Sequence, residues 1–273
     1  MQYLNLLTGA LIDALMRPFS RPWPALAAAA AVTAVLMLLI VRATSSPAAI
    51  RRAKNRLTAR VLELVLFRHD AAVSFTAGGR ILAANFAYLG ALTVPLAFSI
   101  VPCMLLLAQL ASWFEFRPLR VGEPALLEVK LRDGAPVTER RVSLSGFEGV
   151  RVDTAALRVP ALSEFDWRLR GDRPGPGWVE ITVEGEAPLR KEIAVGDGFY
   201  KVSRRKTAGG VWETFLHPAE PPIDRTSSIE RIEVRYPMRT LDLGGWEINW
   251  VVAFLVLAVG FGLVLRRPLG VQL

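Results

Sequence analysis

The stretch Ile81-Leu-Ala-Ala-Asn-Phe-Ala-Tyr-Leu-Gly-Ala-Leu-Thr-Val-Pro-Leu-Ala-Phe-Ser-Ile-Val-Pro-Cys-Met-Leu-Leu-Leu-Ala-Gln-Leu-Ala-Ser-Trp-Phe114 decides the fold. It runs for 34 residues without a charge. As a helix it reaches about 51 Å, against a hydrocarbon core of about 30 Å. It therefore projects beyond one face of a bilayer or bends at Pro95 and Pro102. Two more windows lack charge, Pro22–Val41 with 20 residues and Ile248–Leu265 with 18. They reach about 30 and 27 Å, and three transmembrane helices are expected. Pro22–Val41 reads as a span rather than a signal peptide. Its run is longer than a signal h-region, and Arg17 and Arg21 are the only bases before it, preceded by Asp13.

The composition agrees. The chain has 273 residues, 52% of them hydrophobic, and a mean hydropathy of +0.33. A soluble domain is about 45–50% apolar even with glycine counted. The balance of 33 Lys+Arg and 25 Asp+Glu, net +8, excludes an acidic or disordered chain. A single cysteine, Cys103, excludes an internal disulfide framework and a Cys-cluster zinc site. His69 and His217 lie far apart, and neither has an evident carboxylate or cysteine partner. No Gly-rich phosphate loop, H-E-x-x-H, nucleophile elbow or kinase set occurs. The expectation is a non-enzyme with no catalytic residue, metal site or cofactor.

The basic residues orient the chain. Between the first two windows, Arg51, Arg52, Lys54, Arg56, Arg60, Arg68 and Arg80 face only Glu63 and Asp70, and Arg266 and Arg267 follow the third. Glu115–Glu247 carries 21 bases and 22 acids. The positive-inside rule puts the basic segment and the C-terminal tail in the cytoplasm, with the N-terminus and the long segment outside. Because the excess charge belongs to this topology, it does not point to nucleic acid. Membrane lipid is the expected partner. Trp23, Trp113, Trp246 and Trp250 fall at the expected outer ends of the spans, where indoles favour the headgroup level.

The pieces follow in order. Residues 1–21 hold an amphipathic helix for the outer leaflet, with Leu4, Leu7, Leu11 and Leu15 on one face and Gln2, Asn5, Gly9 and Asp13 opposite. Pro18, Pro22 and Pro24 end it. Residues 22–42 are the first span. Residues 43–80 form a basic helical hairpin, with apolar stripes Ile50/Leu57/Val61/Leu64 and Phe75/Leu82/Phe86/Leu89 around a turn at His69-Asp70. Gly78-Gly79 is a candidate hinge. The basic face of the hairpin (Arg51, Arg52, Lys54, Arg56 and Arg60) reads equally as topology with lipid attraction or as a binding surface. Residues 81–114 are the second span, 246–265 the third and 266–273 the tail.

Residues 115–245 change period. Leu126–Leu131, Arg140–Leu144, Val150–Val152, Phe165–Leu169, Val179–Val183, Leu189–Val195, Tyr200–Val202 and Ile229–Tyr236 alternate apolar and polar residues between Pro/Gly turns. Seven or eight short strands at regular spacing predict an immunoglobulin-like β-sandwich outside the membrane.

Polar groups beside the spans are the candidate site. Arg42, Thr44, Ser45 and Ser46 close the first span, and Asn85, Tyr88 and Thr93 lie at the cytoplasmic end of the second. Two readings stay open at Arg42. It snorkels to the interface, or it lines a hydrophilic groove facing the cytoplasm.

The order of these parts resembles a family. Arg17-Pro18-Phe19 before the first span, Arg51-Arg52-Ala53-Lys54-Asn55-Arg56 opening the hairpin and Asn85-Phe86-Ala87-Tyr88-Leu89 entering the second span lie in an arrangement similar to the YidC/Oxa superfamily of membrane-protein insertases. The size is nearest the three-span branch, which includes the insertase-like subunit of the endoplasmic reticulum membrane protein complex. The resemblance covers Met1–Phe116. It implies an insertase or membrane chaperone of the bacterial inner membrane, acting on nascent membrane proteins through a groove charge and the hairpin. Arg42 is the one residue placed for that charge, though it sits at the membrane edge. A β-domain between spans two and three is a departure from the family pattern. The other reading is a membrane-anchored scaffold whose β-domain binds a protein partner outside.

Overall fold

The computed structural model describes residues 2–44, 47–66, 71–132, 140–210, 213 and 216–270. Four helices come first: α1 (Gln2–Met16), α2 (Pro22–Thr44), α3 (Pro47–Leu66) and α4 (Ala71–Phe114). Pro22 opens α2 at the first helical position, where its missing N–H costs nothing. α4 is one helix of 44 residues, and Gly78-Gly79, Pro95 and Pro102 all lie within it. The expected hinge is therefore helical. The turn expected at His69-Asp70 lies outside the described residues. α2, with mean hydropathy 2.5, and the Pro95–Phe114 part of α4, with 1.8, are long and apolar enough to cross a membrane.

Eleven strands follow among the described residues. They are β1 (Pro124–Leu131), β2 (Val142–Glu148), β3 (Val150–Val152), β4 (Leu157–Val159), β5 (Glu164–Gly171), β6 (Gly175–Val183), β7 (Leu189–Val195), β8 (Arg205–Thr207), β9 (Ile229–Val234), β10 (Leu241–Leu243) and β11 (Trp246–Ile248). One antiparallel sheet has the order β3-β5-β1-β9-β8, with β4 also on β5, and a second has β2-β6-β7. In the first sheet Leu127 stands opposite Trp167 and Val234, and Val129 opposite Phe165 and Ile232. These side chains share one face because strand side chains alternate. They join Val179, Ile181, Ile193 and Val195 of the second sheet in a single buried cluster. Each fully buried side chain of this kind contributes about 1.5–3 kcal/mol.

The structure corrects four strand expectations. Leu157–Val159, Arg205–Thr207 and Leu241–Leu243 are strands that the alternation did not single out. Tyr200–Val202 is not a strand, because the Val202 amide donates to Ser112 O at the end of α4, at 2.7 Å, rather than to a sheet. The last helix, α5, runs Trp250–Leu265, only 16 residues. Its expected start at Trp246 is instead β11, which pairs back on β10. Gly244 and Gly245 have φ of +64° and +91°, and a two-residue hairpin with positive φ at both positions calls for glycine.

The chain divides into two compact units. One is Met1–Ala29 with Leu105–Phe254, and the other is Ala30–Met104 with Leu255–Leu273.

Candidate functional site

The residues singled out from the sequence lie in the second unit. Arg42 ends α2, exposed, and its Nη1 donates to Leu269 O at 3.3 Å. That places the guanidinium on a backbone carbonyl just beyond α5. Thr44 Oγ1 donates to Ile40 O at 2.7 Å, and Thr93 Oγ1 to Leu89 O at 2.9 Å. Both hydroxyls are thus satisfied within their own helices and need no wet groove. Ser45 and Ser46 lie outside the described residues. Asn85 is exposed and Tyr88 half-buried on α4. No hydrogen bond joins Arg42, Asn85, Tyr88 and Thr93 into a cluster; what relates the last three is position. At 100° per residue they fall within an arc of about 140° on α4. Leu82, Leu89 and Leu96 share that arc, Phe86 stands at its edge, and the four are 49–71% exposed. This face is a mixture of amide, phenol, hydroxyl and bare hydrocarbon.

Arg51, Arg52, Lys54 and Arg56 are exposed on α3, and Arg60 belongs to the same helix. The five bases read from the sequence as the basic face of the hairpin therefore belong to one continuous helix.

The first unit holds a second constellation that the sequence reading missed. α1 buries Ile12 and Met16 and leaves Leu7 and Leu11 66% and 70% exposed. Its docked face sets Thr8 and Asp13 beside buried Ile12 and Met16. Gln109 Nε2 donates to Thr8 Oγ1 at 3.4 Å, and Trp113 Nε1 to Asp13 Oδ1 at 3.1 Å. Lys201 Nζ meets Asp13 Oδ2 at 2.9 Å. A carboxylate with one oxygen on an indole and the other on an ammonium ties α1 to both α4 and the β-domain. Of the leucine stripe expected to face lipid, Leu7 and Leu11 are left open and Leu15 is half-buried; the side chain of Leu4 lies outside those described.

Aromatic rings fix the same junction. Phe199 lies 5.2 Å from Trp113 and 5.1 Å from Phe114, and Phe114 stacks on Trp250 at 6.0 Å. Trp113 and Trp250 are buried. They are structural rings rather than members of a headgroup belt. Trp23 donates its indole N–H to Asp242 O at 2.7 Å, and Trp246 alone of the four is fully open, at 79%. The chain leaving α4 pairs with the segment after β9: Arg117 N donates to Pro237 O and Arg239 N to Glu115 O.

Charged groups surround this junction. Glu233, buried on β9, takes Arg204 Nη2 at 2.7 Å and Arg205 Nη2 at 2.9 Å, with Arg231 Nε at 3.6 Å. Burial pushes its pKa up, but Arg204, Arg205 and Arg231 together hold it below the usual carboxylate value. A small cavity of about 100 Å³ separates Ser112 and Glu115 from Arg204 and His217. Burial raises the pKa of Glu115 against the pull of Arg204. His217 has a partner that the sequence did not disclose: Glu213 Oε2 lies 3.8 Å away, four residues earlier. Burial, then Arg205, push the imidazole down.

Lys191 is fully buried on the inward face of β7. Its Nζ donates to Ser203 O at 2.7 Å and Ser203 Oγ at 2.8 Å and pairs with Glu220 Oε1. This clamps the segment after β7 across the sandwich. Among the described residues no group of three or more His, Cys, Asp or Glu comes together to hold a metal. No family model matches the chain, and neither a curated protein nor a solved structure matches it.

Proposed function

We propose that this protein is an insertase-like membrane chaperone of the YidC/Oxa type, anchored in the bacterial inner membrane. The single observation that carries the reading is the uncovered mixed face of α4, with Asn85 among exposed Leu82, Phe86 and Leu89. A polypeptide entering a bilayer needs both apolar contact and partners for its polar groups, and this face offers both. Support comes from the order of elements, in which amphipathic α1, span α2, basic α3 and long α4 follow one another as in that family. Arg42 at the end of α2 supplies a cation for acidic residues in transit. In this reading α5 is the third span. At about 24 Å it is short, and local thinning with snorkelling of Arg266 and Arg267 makes up the difference. The N-terminus and an immunoglobulin-like β-domain then lie outside, with α3 and the tail in the cytoplasm.

Photo-crosslinking from positions 85 and 42, with ribosome-bound nascent membrane proteins in inverted vesicles, tests the proposal. Adducts that depend on a transmembrane segment in the nascent chain support it. Their absence, with unimpaired insertion of small membrane proteins after depletion, overturns it.

A second reading is a scaffold. It is favoured by the Asp13–Trp113–Lys201 tie and the Phe199 ring cluster, which fasten the β-domain to the ends of α1 and α4. Such fastening suits a domain that presents a partner surface at a fixed height above a bilayer. Co-purification of a stable partner through the β-domain, with Arg42 and α3 dispensable, would select this reading.

A further inference from the structure

We propose that the open cavity of about 500 Å³ at the foot of β8 and β9 binds the phosphate of an anionic lipid headgroup, in the leaflet reached by the C-terminal end of α4. Arg204, Arg205, Arg231 and Arg235 form its walls around Glu233 and Glu128.

The guanidiniums are already positioned. Glu233 is a shared anchor for Arg204, Arg205 and Arg231. Arg204 is further held over the Phe116 ring, at 5.0 Å. Arg235 Nε pairs with Glu128 Oε1 at 2.5 Å and is 67% exposed. Arg231 also reaches Glu164 Oε1 at 3.1 Å, and His217 Nε2 lies 3.4 Å from Arg205 Nη1. Even so, donors exceed acceptors. A carboxylate offers about four acceptor positions, whereas three guanidiniums carry about fifteen N–H groups. A phosphate accepts such forks two bonds at a time.

Position selects a lipid over a free anion. Phe116 stands two residues beyond the end of α4, within about 7 Å at extended-chain spacing. The headgroup layer of one leaflet is about 5–8 Å deep. Met238, bridged to Phe116 and 73% exposed, adds an open thioether chain at the cavity rim. A soluble phosphate has no use for that apolar contact; a lipid with its glycerol and acyl chains does. The inference needs α4 to end at a bilayer surface and does not depend on polypeptide insertion.

The test uses the full chain in neutral detergent, titrated with short-chain phosphatidylglycerol, short-chain phosphatidylcholine, inorganic phosphate and a poly-glutamate peptide. Binding is read by native mass spectrometry and thermal shift. Saturable binding of phosphatidylglycerol is expected, weakened about tenfold in Arg204→Gln and in Arg235→Gln, as for loss of one charge-assisted contact. Arg235→Gln, changed at an exposed side chain, decides the matter if Arg204→Gln does not fold. Phosphatidylglycerol binding unchanged in both variants, or no stronger than phosphatidylcholine, overturns the site. Inorganic phosphate binding as tightly as the lipid overturns the lipid assignment, and tighter poly-glutamate binding points to an acidic polypeptide instead.

Discussion

Asp13 and Lys201, 188 positions apart, meet at 2.9 Å. Through this pair, and the Trp113 indole on the other carboxylate oxygen, the first helix is fixed to the β-domain while Leu7 and Leu11 stay open.

Asp13→Ala leaves a partly buried ammonium and an indole N–H without their acceptor. The expected loss is about 1–3 kcal/mol. Hydrogen exchange of α1 should speed up while that of the sandwich strands stays slow. Asp13→Asn keeps an acceptor for Trp113 and should lose less. Equal protection of α1 in Asp13→Ala and wild type would show that the tie is idle.

Lys191 carries a larger penalty. Lys191→Ala takes from Glu220, only 3% exposed, its close partner and leaves Lys206 Nζ, 3.8 Å away, as the remaining cation; about 3 kcal/mol should be lost, the low end for a broken buried pair. Lys191→Met with Glu220→Leu should recover most of it, leaving the unpaired Ser203 carbonyl as the main residual cost. Denaturant unfolding of the single and double variants gives the comparison. A double variant as unstable as Lys191→Ala contradicts the pairing.

Acid should destabilise the first unit in two steps that begin at different pH. His217 sits below its ordinary value of 6.5 in the folded chain, so the unfolded chain binds its proton first. Its contribution is complete above about pH 6.5 and is lost as pH falls from there through the folded value. Glu233, held below 4.5 by its arginines against the opposing cost of burial, adds a second loss that begins only below about pH 4.5. Thermal unfolding of His217→Gln should fall less as pH drops from about 6.5 towards 4.5, and that of Glu233→Gln should fall less below about pH 4.5.

Local chemistry made much of this architecture legible in the sequence. β1, β5, β6 and β7 showed because one face of each is buried, so apolar residues recur every second position. α2 and α4 showed because a run of lipid length without a single charge is rare in a helix that water touches. Arg205–Thr207 escaped because its strand holds no aliphatic side chain; its pairing with β9 rests on Arg205 opposite Glu233. Tyr200–Val202 has the right alternation but spends its amide on Ser112. Trp246 reads as the start of a helix because apolar content cannot distinguish a hairpin strand from a span; Gly244-Gly245 was the signal to heed. Lys191 was hidden for another reason. A lysine on an inward position makes sense only with Glu220, 29 residues away, and no local pattern links the two. Depth in the membrane singles out the candidate groove residues, and depth does not reveal that Thr44 and Thr93 bond within their own helices.

An insertase of this kind needs the α4 face bearing Asn85, Tyr88 and Thr93 to be wet from the cytoplasm. Single cysteines at these positions and at Arg42, in a Cys103→Ser background, should be probed in inverted vesicles with a membrane-impermeant maleimide. Labelling at 42, 85, 88 and 93, with protection at Phe98 and Val101 on the other side of α4, is the predicted result. Protection at 88 and 93 equal to that at 98 and 101 would mean that lipid covers this face, and the insertase reading would be contradicted.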